Sequence, residues 1–250
     1  MLLKIIIVIA CVILVYIILQ WQELKKFART DYEIKSGKVQ REYKAVVLAD
    51  LHGFQYGKDN IRLLDAIRSG QPDLILIPGD MVVSRKSDTY ETALKILEEL
   101  CRIAPVYYSY GNHESRAHIR KSEYQEKFFA FENKVKELGI HVLHNETEAF
   151  GELAVTGLEI PLSCYKKGVD VPLPQDYLEK TLPEQTEDTF QVLLAHNPRY
   201  AKEYADWGAD LTLCGHNHGG LIRIPGVGSL ISPQFQWFPK YDACLLYTSP

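Results

Sequence analysis

The sequence predicts a layered α/β domain carried behind an apolar N-terminal segment. Two observations lead there. From Lys44 onward, short apolar runs of strand type alternate with segments of helical periodicity, and the chain opens on a long run without a polar residue. The composition agrees. With 250 residues, 46% hydrophobic and 24% charged, the chain is of globular type and can bury a substantial core.

Ile5 to Leu19 read IIIVIACVILVYIIL, preceded by Leu2, Leu3 and Lys4. A bilayer span takes roughly 17 to 25 apolar residues, so residues 2–21 are expected to form one transmembrane helix whose partner is the lipid bilayer. Lys4 can snorkel to a headgroup, and Tyr16 and Trp21 suit an interface. No small-x-small site follows, which favours an uncleaved anchor over a signal peptide. Residues 1–21 are thus expected to be the anchor, 22–43 a charged linker and 44–250 the domain. Lys25, Lys26, Arg29, Lys35 and Lys38 follow the span, whereas only Lys4 and the terminal amine precede it. By the positive-inside rule alone this keeps the domain in the cytoplasm.

The elements follow in order. Ala45 to Ala49 is a strand. Asp59 to Ser69 carries Ile61, Leu64 and Ile67 at helical spacing. Leu74 to Ile77 is a buried strand, ended by Pro78-Gly79. Asp88 to Cys101 is an amphipathic helix with Tyr90, Ala93, Leu94, Leu97 and Cys101 on one face, and Asp88 as N-cap with Glu91 three residues on. Val106 to Ser109 is a third strand. A helix is predicted from Ser122 to Leu138, stopped by Gly139. Leu153 to Thr156, Phe190 to Ala195 and Leu211 to Cys214 are further strands. Leu162 to Asp188 is polar, contains prolines and breaks the rhythm. It reads as an insertion able to cover a site, or as a plain surface loop.

Some functions are disfavoured. A formal net charge of -4 and basic residues only in short pairs argue against a nucleic-acid partner. The five cysteines are scattered, with no C-x-x-C pair, so they read as buried or free thiols.

The chemistry-bearing residues stand at strand ends. Asp50 and His52 close the first strand as A-D-L-H, and Asp80 follows the second as P-G-D. Asn112 and His113 follow the third as G-N-H-E. His196 ends a later strand as A-H-N-P, and His216 and His218 follow another as C-G-H-N-H-G-G. In open α/β folds, ligands bind beyond the carboxyl ends of the strands, so these groups should meet in one crevice. His118, His141 and His144 fall elsewhere and read as surface residues. Each motif alone is weak; all five in order, each directly after an apolar run, are specific. Imidazole with carboxylate suits manganese, iron or zinc. Two such ions can clamp the attacking and leaving oxygens of an in-line displacement and make an acidic water the nucleophile.

D-x-H, G-D, G-N-H-E, a lone histidine and G-H-x-H resemble the calcineurin-like metallophosphoesterase family, over about Lys44 to Tyr241. With the N-terminal run and A-H-N-P before G-H-x-H-G-G, the chain is most similar to the membrane-associated bacterial phosphodiesterases. The resemblance implies a layered β-sandwich flanked by helices and two divalent metal ions. It implies that Asp50, His52 and His218 hold one ion, that Asn112, His196 and His216 hold the other, and that Asp80 bridges them. His113 would contact the phosphate and donate a proton. The expected reaction is hydrolysis of a phosphodiester or pyrophosphate bond by a two-metal-activated hydroxide, on a membrane-associated, lipid or nucleotide-sugar substrate. A nuclease, or a non-catalytic membrane scaffold with the same metal site, are the alternatives.

Five further expectations concern details. Met81 to Ser84 after Gly79-Asp80 lack the Asp-Arg of protein Ser/Thr phosphatases, which argues against a phosphoprotein substrate. Related domains continue past Tyr241 with strands that finish the second sheet, so the end of this chain is read as incomplete, with 244–250 of doubtful origin. Many relatives with such a span face outward, against the charge count, which leaves the side of the membrane open. Gly219 and Gly220 are expected to let backbone approach the metals, with an ordinary turn as the other reading; Phe235, Trp237 and Phe238 are expected to pack in the core, with a lipid or nucleoside pocket or a membrane contact as the other readings.

Overall fold

The computed structural model describes residues 2–23, 26–119, 121, 123–186, 188–220, 222–224, 228–239 and 245–247. Two sheets lie face to face, with helices on the outer side of the first. The first sheet is wholly parallel, in the order β1 (Ala45–Val47), β2 (Leu74–Ile77), β3 (Val106–Ser109), β4 (His141–Leu143). The second runs β11 (Leu245–Tyr247), β8 (Leu211–Leu213), β7 (Phe190–Ala195), β6 (Leu153–Leu158), β5 (Thr147–Phe150). Its centre is parallel and its two outer pairs are antiparallel. A separate hairpin joins β9 (Ile222–Ile224) to β10 (Gly228–Ile231).

The four residues of β2 show how the sequence makes the layers. Successive strand side chains point to opposite faces. Leu74 and Leu76 enter the core between the sheets, against Val155, Val192, Leu194 and Leu213. Ile75 and Ile77 enter the core under the helices α2 (Ile61–Ser69), α3 (Asp88–Cys101) and α5 (Glu123–Glu137), with Leu64, Leu97 and Phe128. A strand covered on both faces must be apolar throughout, which is why LILI carries no alternation. A third core, holding Tyr200, Tyr204 and Leu178, fills the outer side of the second sheet beneath α6 (Tyr177–Thr181) and α7 (Ala201–Trp207).

The strands and helices expected from periodicity are present with shifted ends: β1 is trimmed to Ala45–Val47, whereas β6 runs on to Leu158. α5 occupies Glu123–Glu137, and Gly139 takes φ 79° just beyond it. Short elements escaped the sequence: β4, β5, α7, the hairpin, and α4 (Asn112–Ile119), which starts inside the G-N-H-E motif. Residues 27–43 contain no helix or strand, yet Phe27 packs on Tyr56 at 5.1 Å, and Lys38 pairs with Asp210 at 2.9 Å.

The apolar N-terminal run forms the helix α1 (Leu2–Glu23). Its expected role as a span is not supported: among the described residues, no helix is long and apolar enough to cross a membrane. The side chains described along α1 from Ile5 to Ile18 are exposed.

One further expectation is corrected. Phe235, Trp237 and Phe238 do not pack in the core but stand 56%, 68% and 65% exposed. They lie on a tip closed by a bridge between Ile231 and Trp237, and Phe235 and Phe238 adopt φ 61° and 46°, which turns their rings outward. Gly220, at φ 101°, stands where a Cβ would strike Ser229 of the following hairpin. Among the described cysteines, Cys11, Cys101 and Cys164 are free thiols and Cys214 is buried; Cys244 lies outside the described residues.

Candidate metal centre

The carboxyl ends of β1, β2 and β3 in one sheet and β7 and β8 in the other open on the same crevice. Loops there must turn at once, and five side chains with metal-binding chemistry sit in left-handed backbone: Asp50 (φ 57°), His52 (48°), Asp80 (55°), His216 (68°) and His218 (49°). Non-glycine residues avoid this region, and such strain persists where the surroundings enforce it, typically at functional sites. Glycine provides the remaining space. A Cβ on Gly79 would strike the backbone of Gly111, and one on Gly111 would strike the carboxylate of Asp80.

Asp80 is the centre of the arrangement and 1% exposed. Its Oδ2 lies 3.1 Å from His196 Nε2 and 3.8 Å from His52 Nε2. Its Oδ1 accepts the backbone N–H of His113 at 2.8 Å. Asp50 Oδ1 lies 3.9 Å from His52 Nε2, and 3.8 Å from both His196 Nε2 and His218 Nε2. It also accepts the N–H of His216 at 3.1 Å, which links the first sheet to the second. Ligand-type atoms fall within 4.8 Å of one another in three groups: Asp50, His52 and His218; Asp80, His196 and His216; and His52, Asp80 and His113. The fold thus brings Asp50, His52 and His218 together, and likewise Asp80, His196 and His216.

The donor atoms fit a cation. His196 Nε2, His216 Nε2 and Asn112 Oδ1 are buried without a hydrogen-bond partner. A buried polar atom left so costs free energy, and a metal ion satisfies such atoms. The ring orientations are set from outside the crevice. His196 Nδ1 donates to the carbonyl of Pro78 at 2.7 Å and His52 Nδ1 to that of Val82 at 3.3 Å, which turns each Nε2 toward Asp80. His113 is arranged the other way. Its Nδ1 accepts from Ser84 N at 3.1 Å, so its proton is on Nε2.

Electrostatics follow the same plan. Burial alone would raise Asp80, but His196, His113 and His52 hold it well below the usual carboxylate range. Burial would lower His196, and Asp80 reverses that. Burial, with His196 alongside, pushes His216 down to about 3, and burial brings His113 to about 4. Both rings are therefore neutral near pH 7.

Two contributors were not singled out in the sequence. Glu114 is 0% exposed and accepts four donors: Asp80 N at 2.9 Å, Gly111 N at 3.1 Å, Val82 N at 3.2 Å and Tyr108 OH at 2.7 Å. It ties together the loops carrying Asp80 and Asn112; its place within G-N-H-E was the available signal. Tyr165, from the 3₁₀ turn Leu162–Tyr165 that opens the expected insertion, places its ring 5.1 Å from His216 and 6.1 Å from His196. The start of the insertion therefore lies over the centre. None of the three histidines read as surface residues is free of contacts: His141 stacks on Tyr107 at 4.5 Å, His118 packs on Phe129 at 5.3 Å, and His144 lies between two glutamates.

A metal-binding crevice at the strand ends of a two-sheet α/β sandwich is the architecture of the metallophosphoesterases. The calcineurin-like phosphoesterase profile matches residues 43–220, and the chain belongs to that family; it is a hydrolase acting on phosphoesters. Among its relatives, Phosphodiesterase YaeI of Escherichia coli (strain K12) is 32% identical over 200 residues, covering 76% of this chain and 66% of the relative. Uncharacterized metallophosphoesterase YkuE of Bacillus subtilis (strain 168) is 25% identical over 214 residues, covering 82% and 70%. Transmembrane protein with metallophosphoesterase domain from Danio rerio is 28% identical over 208 residues, covering 77% and 44%. The chain thus spans about two thirds of the bacterial relatives and less than half of the vertebrate one.

Proposed function

We propose that the protein hydrolyses a phosphodiester or pyrophosphate bond with two divalent cations, manganese, iron or zinc. The observation carrying this reading is the set of donor atoms around Asp80, with three of them buried and unpartnered on the side of His196, His216 and Asn112. Asp50, His52 and His218 would hold one ion and Asn112, His196 and His216 the other, with Asp80 shared. When bound, the ions supply positive charge against the phosphoryl oxygens and a water acidic enough to attack near neutral pH.

The chain's own groups have distinct tasks. Pro78 and Val82 fix the rings of His196 and His52 through their carbonyls. Tyr165 covers His216 and limits water on that side. His113, with its acceptor nitrogen engaged by Ser84, presents an Nε2–H to the crevice. It is suited to protonate the departing alkoxide, a task that merely holding metal does not require. This favours catalysis over the scaffold reading, and the absence of a basic excess disfavours the nuclease.

The substrate we infer is membrane-associated. Supporting this are the exposed apolar side chains of Ile5–Ile18 on α1, the exposed ring tip Phe235–Phe238, and Lys167 Nζ 5.3 Å above the Phe235 ring. Aromatic rings with adjacent lysines suit a headgroup region. The names of the vertebrate relatives point the same way. The test is hydrolysis of bis-p-nitrophenyl phosphate by the full chain in detergent, stripped of metal and then given manganese, beside Asp80→Asn. Metal-dependent turnover lost in the variant supports the proposal; a folded, metal-loaded protein without turnover overturns it in favour of the scaffold.

A further inference from the structure

Behind the metal centre lies a charged network that the reaction does not touch. His144 Nδ1 is 2.6 Å from Glu159 Oε1, and its Nε2 is 3.0 Å from Glu132 Oε1. Glu132 also receives Lys136 Nζ at 3.0 Å and the Tyr110 hydroxyl. On the other side, Glu159 Oε2 is 3.0 Å from Ser115 Oγ, which is also 2.9 Å from the carbonyl of Gly111. Gly111 and Ser115 bracket Asn112 and His113. Glu159 is itself fixed: its N–H donates to Asn145 Oδ1 at 2.8 Å and its carbonyl accepts Tyr177 OH at 2.9 Å.

The path therefore runs from α5 through His144 and Glu159 to the first turn of α4. Its geometry demands a cation in the middle. A neutral imidazole has one N–H and can satisfy only one of two flanking carboxylates, whereas an imidazolium donates to both. Without that charge, Glu132 and Glu159 would repel each other, and Glu159 would lose the partner that directs its second oxygen at Ser115.

Resting on the phosphodiesterase reading above, we propose that His144 is a positioning residue, which as an imidazolium between Glu132 and Glu159 sets the first turn of α4 and so the placement of Asn112 and His113. The groups facing it are Glu132 and Lys136 from α5, Glu159 after β6, Tyr110 with its ring 4.5 Å away, and His118 of α4 at 5.8 Å. Burial disfavours its charge, but the two carboxylates raise it to about 9.

The test is an NMR titration of the metal-free full chain in detergent micelles, with a kinetic arm beside it. The His144 ring is expected to titrate near pH 9, and the backbone amides of Asn112 and His113 to shift with the same midpoint. In Glu159→Gln the midpoint falls, and in His144→Gln those amides lose the transition. With manganese and bis-p-nitrophenyl phosphate, His144→Gln is expected to lower kcat roughly three- to ten-fold with KM little changed. Ser115→Ala removes the Glu159 link to α4, together with the local bond to the Gly111 carbonyl, and leaves His144 between its carboxylates, so Asn112 should cease to follow His144 even if His144→Gln fails to fold. Amides of Asn112 and His113 that ignore the His144 transition overturn the proposal, as does a folded His144→Gln with wild-type kcat. The NMR arm needs no turnover, so a wild-type protein without activity would count against the phosphodiesterase reading separately.

Discussion

The backbone N–H of Asp80 donates to Glu114 Oε2 at 2.9 Å, so the carboxylate at the centre of the site is seated by a second carboxylate that never meets solvent. Glu114 gathers three more donors, from Gly111, Val82 and Tyr108. Glu114→Gln keeps the shape but turns an amide NH₂ toward N–H groups. Each donor left unpaired costs roughly 1 to 3 kcal/mol. The expected outcome is a lower urea midpoint together with weaker manganese binding. An unchanged midpoint and unchanged affinity would show that these bonds do not set the loop.

Gly79 and Gly139 both have positive φ, 98° and 79°, but only Gly79 is crowded. Its Cβ would meet Gly111 and lie 2.8 Å from His196 Nδ1, whereas nothing stands within 4 Å at Gly139. Gly139→Ala should cost only the backbone term, roughly 1 kcal/mol. Gly79→Ala should cost more and abolish manganese-dependent turnover. Denaturation curves of the two variants, measured together, separate crowding from conformation; equal losses would contradict the close approach of Gly79 to Gly111.

The His144 network should leave a mark on stability against pH. His144 is raised from 6.5 to about 9, so its contribution is complete below pH 6.5 and is lost as pH rises through 9. Glu132 is lowered from 4.5 to about 2, so its contribution is present above pH 4.5 and is lost as pH falls through 2. The alkaline loss is at most about 3.5 kcal/mol, at about 1.4 kcal/mol per pH unit. Urea midpoints at pH 6, 8 and 9.5 should fall in the wild type and stay nearly level in His144→Gln (these pH values chosen roughly to bracket the transition). Parallel curves would remove His144 from the account.

Metal should stabilise the folded state by mass action, because its donor groups converge only there. The melting temperature of the full chain is expected to climb with the logarithm of manganese concentration and to drop on chelation. His216→Ala and Asn112→Ala each remove a partnerless buried donor, so the metal-free protein should melt near the wild type while the manganese response shrinks. A response identical to wild type would exclude these two residues from the site.

Much of the fold and of the centre was legible in the sequence, for a physical reason. Buried parallel strands such as LILI must be apolar on both faces, and the groups that follow them are confined to one edge of the layer. Asp50, His52, Asp80, His196, His216 and His218 could thus be grouped although far apart in sequence. What escaped depends on contacts between distant segments. The three residues of β4 show no periodicity, and α4 is a helix whose first turn is mostly polar. His144 looks solvent-directed until Glu132 and Glu159 are brought to it by α5 and β6. The aromatic tip misled because hydrophobicity alone cannot distinguish a ring that is packed from one that left-handed backbone at Phe235 and Phe238 turns outward.

Asp50, His52, Asp80 and Asn112 hang from one sheet, and His196, His216 and His218 from the other. Ions held between them would act as rivets through the seam of the sandwich. Slippage of one sheet over the other, tolerable to the oily Leu76, Val192 and Leu194 beneath, would then be forbidden at the rim. Loading the rim should slow amide hydrogen exchange in β2 and β7 far more than in the outlying β5, so that the cofactor serves also as a mechanical fastener.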